Sequence, residues 1–198
     1  MAPRIYTTRI ARSMEDLARV ISLRSIVYMG EQKCPYDEEF DGNDFTASHL
    51  LLFCGAEPVG TLRLRWFADW VKLERVCVRQ DFRSREAFRT MIDSALEFSA
   101  RKGYRRLIGY IQSRLYPLWT RSYGCRRRTG RAEFRFSDFD YMEVEYEIPP
   151  HPDALTPESS PFVLIRPEGA WDEPGVLDQS TARSEADSAR DAKAAVAA

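Results

Sequence analysis

From Trp70 to Lys102 the chain runs strand, turn and helix with no residues to spare, and this stretch constrains the fold more than any other. Val71, Leu73, Val76 and Val78 supply the β-branched and apolar content of a half-buried strand. Arg79-Gln80-Asp81-Phe82-Arg83-Ser84-Arg85-Glu86 forms the polar turn. Phe88, Met91, Ile92, Ala95 and Leu96 then recur at helical spacing and make one apolar face. A turn feeding straight into a helix aims free backbone N–H groups at one point, and such a point attracts anions. Two readings stand side by side: a site for a phosphate-bearing ligand, or an ordinary strand–helix crossover in an α/β domain.

With 198 residues, 44% of them hydrophobic, the chain has enough apolar content for one well-packed domain. A formal net charge of -1 argues against a general nucleic-acid or membrane-surface binder. Met1 to Tyr6 lacks the apolar core of a signal peptide. The strongest apolar run, Leu50 to Cys54, is far too short to span a bilayer. Cys34, Cys54, Cys77 and Cys125 are dispersed, with no C-x-x-C pair, and read as thiols in a reducing cytoplasm. With His49 and His151 as the two histidines, no metal site is expected. No internal repeat is visible.

In chain order, Ile5 to Ala11 reads as a first strand, and Ser13 caps a helix that carries an apolar side through Tyr28. Cys34 to Phe45 is an acidic loop with aromatic residues. It reads either as a negative wall for a cationic amine or as a solvated loop whose aromatics cap the core. His49 to Cys54 and Val59 to Trp66 form a hairpin, with Thr61, Arg63 and Arg65 on a wet face. Beyond the central helix come a buried strand from Arg106 to Ile111 and a helix from Pro117 to about Tyr123, stopped by Gly124. Two strands, Cys125 to Phe136 and Tyr141 to Ile148, follow. Residues 1–150 read as one domain, 151–178 as an extended Pro-rich acidic arm, and 179–198 as a disordered tail.

The resulting order, β-α-β-β-β-α-β-α-β-β, resembles the GNAT superfamily of acyl-CoA-dependent N-acyltransferases. Glu31-Gln32-Lys33-Cys34-Pro35-Tyr36, Asp41-Gly42-Asn43-Asp44 and His49-Leu50 resemble the front half of its ElaA-like branch. Leu73-Glu74-Arg75-Val76-Cys77-Val78 resembles the fourth strand, whose backbone receives pantetheine. Trp119 to Cys125 sits where the family carries an aromatic pair followed by Gly and an aromatic. The resemblance covers Ile5 to Ile148. It implies an α/β (α+β) fold with a mixed, mostly antiparallel twisted sheet flanked by helices. It also implies an acetyl-CoA or other acyl-CoA co-substrate, and a small-molecule or peptide amine as acceptor.

Two departures stand out. The family's pyrophosphate loop, Arg/Gln-x-x-Gly-x-Gly/Ala, aligns with Arg83-Ser84-Arg85-Glu86-Ala87-Phe88, so Arg83 is kept and both small positions are lost. Glycine serves there because backbone must approach phosphate oxygens with no Cβ in the way. Arg83, Ser84 and Arg85 are left as the phosphate-binding candidates. The second departure is Thr120, where the family often has a tyrosine that protonates the leaving thiolate; Tyr116 and Tyr123, about a turn either side, are the substitutes.

Acyl transfer to an amine needs a base for the amine proton, a donor for the oxyanion and an acid for the thiolate. Glu74 shares a strand face with Val76 and Val78 by period two and is the candidate base; the alternative is a surface glutamate paired with Lys72 or Arg75. The resemblance implies that the backbone of Val76 and Val78 receives pantetheine and that the N–H of Val76 or Val78 is the oxyanion donor. Gln112, after a buried strand end, reads either as a substrate-orienting group or as a helix cap. His49 reads as a strand-start residue rather than a base.

Arg101 to Gly130 contains no Asp or Glu, while Arg101, Lys102, Arg105, Arg106, Arg114, Arg121 and Arg126 to Arg128 are positive. This block reads as an electropositive rim for an acidic donor, CoA or an acyl carrier protein, or as a solvated basic surface. Aromatics and arginines form no stacking platform, so nucleic acid is not expected, nor is a membrane; a homodimer is compatible with the sequence. The alternatives to an acyl-CoA enzyme are an acyltransferase fed by acyl carrier protein and a GNAT-fold binding or regulatory module without turnover.

Overall fold

The computed structural model describes residues 4–136 and 138–179. They fall into two compact units divided between Pro157 and Glu158.

In the first unit, β1 (Tyr6–Ile10) leads to α1 (Met14–Arg24), whose Ser13 cap accepts from the Asp16 N–H at 3.1 Å. Val20 and Leu23 pack on Leu51 of the sheet. The helix widens into a π turn over Ser25–Glu31, where the Gln32 N–H donates to the Val27 carbonyl at 3.0 Å. Such turns re-aim side chains, and this one carries Tyr28 to the sheet. The acidic loop folds into a short α2 (Tyr36–Glu39). Strands β2 (Ser48–Cys54), β3 (Glu57–Trp66) and β4 (Val71–Val78) form an antiparallel meander.

Helix α3 (Arg85–Arg101) follows at once, burying Ala87, Met91, Ile92, Ala95 and Phe98. Then come β5 (Arg106–Gln112), α4 (Tyr116–Tyr123), β6 (Arg126–Arg127), β7 (Phe134–Phe136) and β8 (Phe139–Glu147). Gly124 closes α4 in the left-handed region at φ 67°, as its place after Tyr123 predicts. The sheet order is β1-β2-β3-β4-β5-β8-β6, with β7 also on β8. Among the described residues only β4 and β5 run parallel; every other pairing is antiparallel. This is the expected mixed, mostly antiparallel sheet flanked by helices.

Three expectations change. The strand expected from Cys125 to Phe136 is two short ones, because Thr129-Gly130 turns the chain between them at a Gly130 φ of 74°. The face of β3 expected to be wet is dry over most of its length: Thr61 and Arg63 are both 0% exposed, and only Arg65 near the strand end is partly open. The acidic loop is not a free negative wall, because Glu39, Asp41 and Asp44 neutralise buried arginines, and its Tyr36 and Phe45 face solvent rather than capping the core.

The second unit begins at Glu158, whereas the sequence places a boundary at 150 and an extended arm after it. Its α5 (Pro161–Leu164) precedes turns in which Arg166 grips Asp178 through two bonds of 2.8 and 3.0 Å. The expected tail, apart from residue 179, lies outside the described residues.

Candidate acyl-transfer cleft

Strands β4 and β5 pair only between Val71–Leu73 and Leu107–Gly109. Beyond Leu73 they part, and the gap between 74–78 and 110–112 is the cleft. A bulge drives the parting. In the β3 register Thr61 faces Cys77 but Arg63 faces Glu74, so Arg75 and Val76 oppose Leu62 alone. Arg75 takes φ 54°, a left-handed conformation uncommon for a side-chain-bearing residue. Gly60 sits against the same place: a Cβ there would lie 2.8 Å from the Cys77 carbonyl oxygen.

Arg75 is held by the acidic loop. Its Nη2 donates to the Glu38 carbonyl at 2.6 Å and lies 3.3 Å from Asp41, with Nε 3.4 Å from Glu39. Around it spreads a buried ionic network. Arg24 pairs with Glu39, both 1% exposed, and with Asp44 at 2.6 Å. Arg63 reaches Asp44 at 2.8 Å, Asp41 at 2.5 Å and Glu74 at 2.9 Å. Burial alone would raise the pKa of Asp41 and Asp44, but hydrogen bonds and charge from Arg63 and Arg24 hold both below the usual range. Burial pushes Glu39 upward against the pull of Arg24 and Arg75.

Glu74 sits inside this network. Oε1 meets Arg63 and Oε2 meets Lys72 at 3.0 Å, and the side chain is 12% exposed. The sequence anticipated the Lys72 partner, but not Arg63 or the burial.

On the cleft wall, the Tyr28 hydroxyl donates to the Val76 carbonyl at 2.9 Å, and burial holds that phenol far above its ordinary pKa. The Arg79 N–H donates to Val59 on β3 at 2.9 Å. By strand alternation Val78 turns its own backbone groups the other way, into the cleft. Arg83 Nε takes the Val78 carbonyl at 2.9 Å, and its guanidinium pairs with Glu31. Ser84 caps α3, its Oγ accepting from the Ala87 N–H at 3.0 Å. One of the helix's free N–H groups is thus satisfied from within. Arg85 is exposed at the helix start.

Phe88, at the second small-residue position of the family loop, turns away from the start of α3. It joins α4, its ring 5.0 Å from Trp119 and 5.9 Å from Tyr123. The Tyr123 hydroxyl donates to Asp93 at 2.8 Å; burial, then that carboxylate, drive its pKa up. Thr120 Oγ1 donates to the Cys125 carbonyl at 3.3 Å. Tyr116, half-buried at the start of α4, has no hydroxyl partner among the described residues. Gln112 is 8% exposed at the open end of β5. His49 Nε2–H donates to the Asp44 carbonyl at 3.0 Å, and burial lowers its pKa, which keeps it neutral.

A match to the family model of the GNAT acetyltransferases runs over residues 17–124, from α1 through the bulged strand to Gly124. The chain belongs to the GNAT acetyltransferase family. An N-acetyltransferase of Bacillus subtilis, the uncharacterized YjcF, is 35% identical over 94 residues, covering 48% of this chain and 66% of that protein. The chain thus spans somewhat under two thirds of that relative's length. Among solved structures, Escherichia coli ElaA superposes with a TM-score of 0.63 at 21% identity, over 72% of this chain and 100% of ElaA. An acyl-CoA N-acyltransferase from Pseudomonas aeruginosa gives 0.64 at 22%, over 73% and 99%. At that identity these two show the fold, and the family resemblance read from the residues is borne out.

Part of the basic block is paired within this GNAT domain. Arg128 pairs with Glu143, Arg127 with Glu133 at 3.1 Å and Arg106 with Asp69 at 2.9 Å. Lys102, Arg105, Arg106 and Arg126 line an open groove of about 1130 Å³ at the start of β5, the end of the strand away from the cleft. Among the described residues no helix is long and apolar enough to cross a membrane, and no cluster of His, Cys, Asp and Glu could hold a metal.

Proposed function

We propose that this chain is an N-acyltransferase that moves an acetyl or longer acyl group from an acyl-CoA thioester to a primary amine. The observation that carries this reading is the bulged β4 parting from β5. It opens a slot beside strand backbone, in a chain of the GNAT family. Pantetheine fits that slot through the backbone of Val76 and Val78, and a Val76 or Val78 N–H is the donor for the oxyanion. Arg83, Ser84 and Arg85 receive the phosphates at the start of α3, with Arg83 leaving Glu31 to do so. Gln112 orients the substrate.

Glu74, engaged by Arg63 and Lys72, serves the amine proton through a water chain or by releasing Lys72. Of the two tyrosines, Tyr116 is the better acid for the thiolate, because Tyr123 already donates to Asp93.

One observation favours a second reading. The pyrophosphate half of the donor site holds the Ser84 cap, and has Glu86 and a Phe88 turned to Trp119 where the family has its small residues. A donor on acyl carrier protein brings one phosphate rather than a pyrophosphate and loses less there. Calorimetric titration with acetyl-CoA separates the two. Micromolar binding, about -8 kcal/mol, followed by mass-spectrometric detection of N-acetylated amine supports the CoA donor. No binding at millimolar acetyl-CoA overturns it and leaves the carrier-protein donor and the non-catalytic module.

A further inference from the structure

Three rings stand together on the α1 face of the sheet beside the cleft. Phe134 of β7 stacks on Tyr141 of β8, with centroids 5.9 Å apart and planes at 17°. It meets Tyr110 of β5 edge-on at 5.2 Å. Tyr110 and Phe134 remain 42% and 39% exposed, unusual for rings with so much apolar surface. Gln112 lies directly opposite Tyr141 in the β5–β8 register and donates Nε2–H to its hydroxyl at 3.5 Å. The Gln112 Oε1 is buried and has no hydrogen-bond partner among the described residues. A buried acceptor with no donor is a cost that an arriving N–H removes.

The charges of this face discriminate among amines. Glu39, Asp41, Asp44 and Glu74 are already met by Arg24, Arg63, Arg75 and Lys72, and Glu143 by Arg128. Lys72 Nζ stands 4.3 Å over the Tyr110 ring, so the wall carries its own fixed cation. An acceptor with a second positive charge would meet Lys72 and carboxylates that are already neutralised. An acceptor with a flat apolar body would cover the exposed rings.

Resting on the acyl-transfer reading, we propose that this wall selects the acceptor: a primary amine carried on an aromatic ring or similar flat apolar body, with no second positive charge. Its N–H donates to Gln112 Oε1 and its body lies against Phe134 and Tyr110.

The test measures binding apart from turnover. Phenethylamine and spermidine are titrated into the full chain with CoA present and followed by ligand-observed NMR; transfer from acetyl-CoA to each is followed by mass spectrometry. Phenethylamine is expected to bind at least about tenfold tighter than spermidine. Phe134→Ala and Gln112→Leu should each lose about tenfold of that affinity, while Phe134→Tyr retains it. Phe134 sits on a three-residue strand at the rim, so its replacement leaves the core intact.

Equal or tighter spermidine binding, or phenethylamine affinity untouched by Phe134→Ala, overturns the inference, whatever the transfer assay gives. Selective phenethylamine binding with no transfer supports the wall and counts against the acyl-transfer reading instead.

Discussion

On the α1 side of the cleft the charges are buried and matched: Arg24, Glu39 and Arg63 are at most 1% exposed and each has a defined partner. At the start of α3 they are at the surface. The Arg83 side chain is 46% exposed, and Arg85 and Glu86 are exposed beside it. The first set is committed when the chain folds. It holds the bulge in place and leaves no net charge for a ligand. The second set is held weakly, since exposed pairs contribute little, and can be rearranged by an arriving anion. The two ends of one cleft thus differ in kind: a preorganised wall and an adaptable helix start.

The sharpest way to break that comparison is Arg63→Met. It takes the shared central cation from Asp41, Asp44 and Glu74, leaving each its weaker remaining partner, and should cost about 3–5 kcal/mol of stability, read from the urea midpoint. A loss below about 1 kcal/mol would place this network with ordinary surface pairs. Gly60→Ala comes next. Its methyl must push the Cys77 carbonyl away, and an overpacking cost of about 1–3 kcal/mol is expected in the same assay, with weaker acetyl-CoA binding as β4 shifts.

At the start of α3, Glu86→Gly should leave stability within about 0.5 kcal/mol and improve acetyl-CoA affinity by about 1 kcal/mol, read by calorimetry. No change there would favour the carrier-protein donor.

The smallest effect is that of mild acid. His49, neutral in the fold with its pKa lowered by burial, costs stability as pH falls below its unfolded value of about 6.5. Asp41 and Asp44, held low, contribute stability above about pH 3.9 that is lost as pH drops further. Glu39, pushed upward, acts in the opposite sense. Thermal melts from pH 8 to 3 should show a shallow decline, then a steep one. A flat profile would mean the network is more hydrated than its burial suggests.

Local pattern carried most of the fold. The Ser13 cap, the β2–β3 hairpin, the crossover from β4 into α3 and the Gly124 stop all depend on neighbours in sequence, and all were legible. What escaped was set by partners distant in the chain. Arg63 alternates with leucines like any solvent-facing residue, and only Asp41 and Asp44, some twenty positions earlier, make it an interior one. The bulge at Arg75 was equally hidden, because the residue at φ 54° is neither Gly nor Asn. The aromatic wall requires β7 and β8 to be seen as a hairpin, which the continuous strand expected from Cys125 to Phe136 concealed. Phe88 was legible as a departure from the family loop, yet its partners on α4 were not.

The position of β8 bears on how the chain must be made. The last strand of the sheet in sequence is an interior strand in space, lying between β5 and β6. During synthesis from the N-terminus, Leu107 to Ile111 leave the ribosome well before Phe139 to Glu147. Through that interval β5 shows an apolar edge with no hydrogen-bonding neighbour on one side, the feature that invites association between chains. A chain stopped short of Phe139 carries that edge permanently. Truncation there, though it leaves α1 to α4 and the bulged β4 intact in sequence, should therefore yield insoluble protein rather than a smaller working domain.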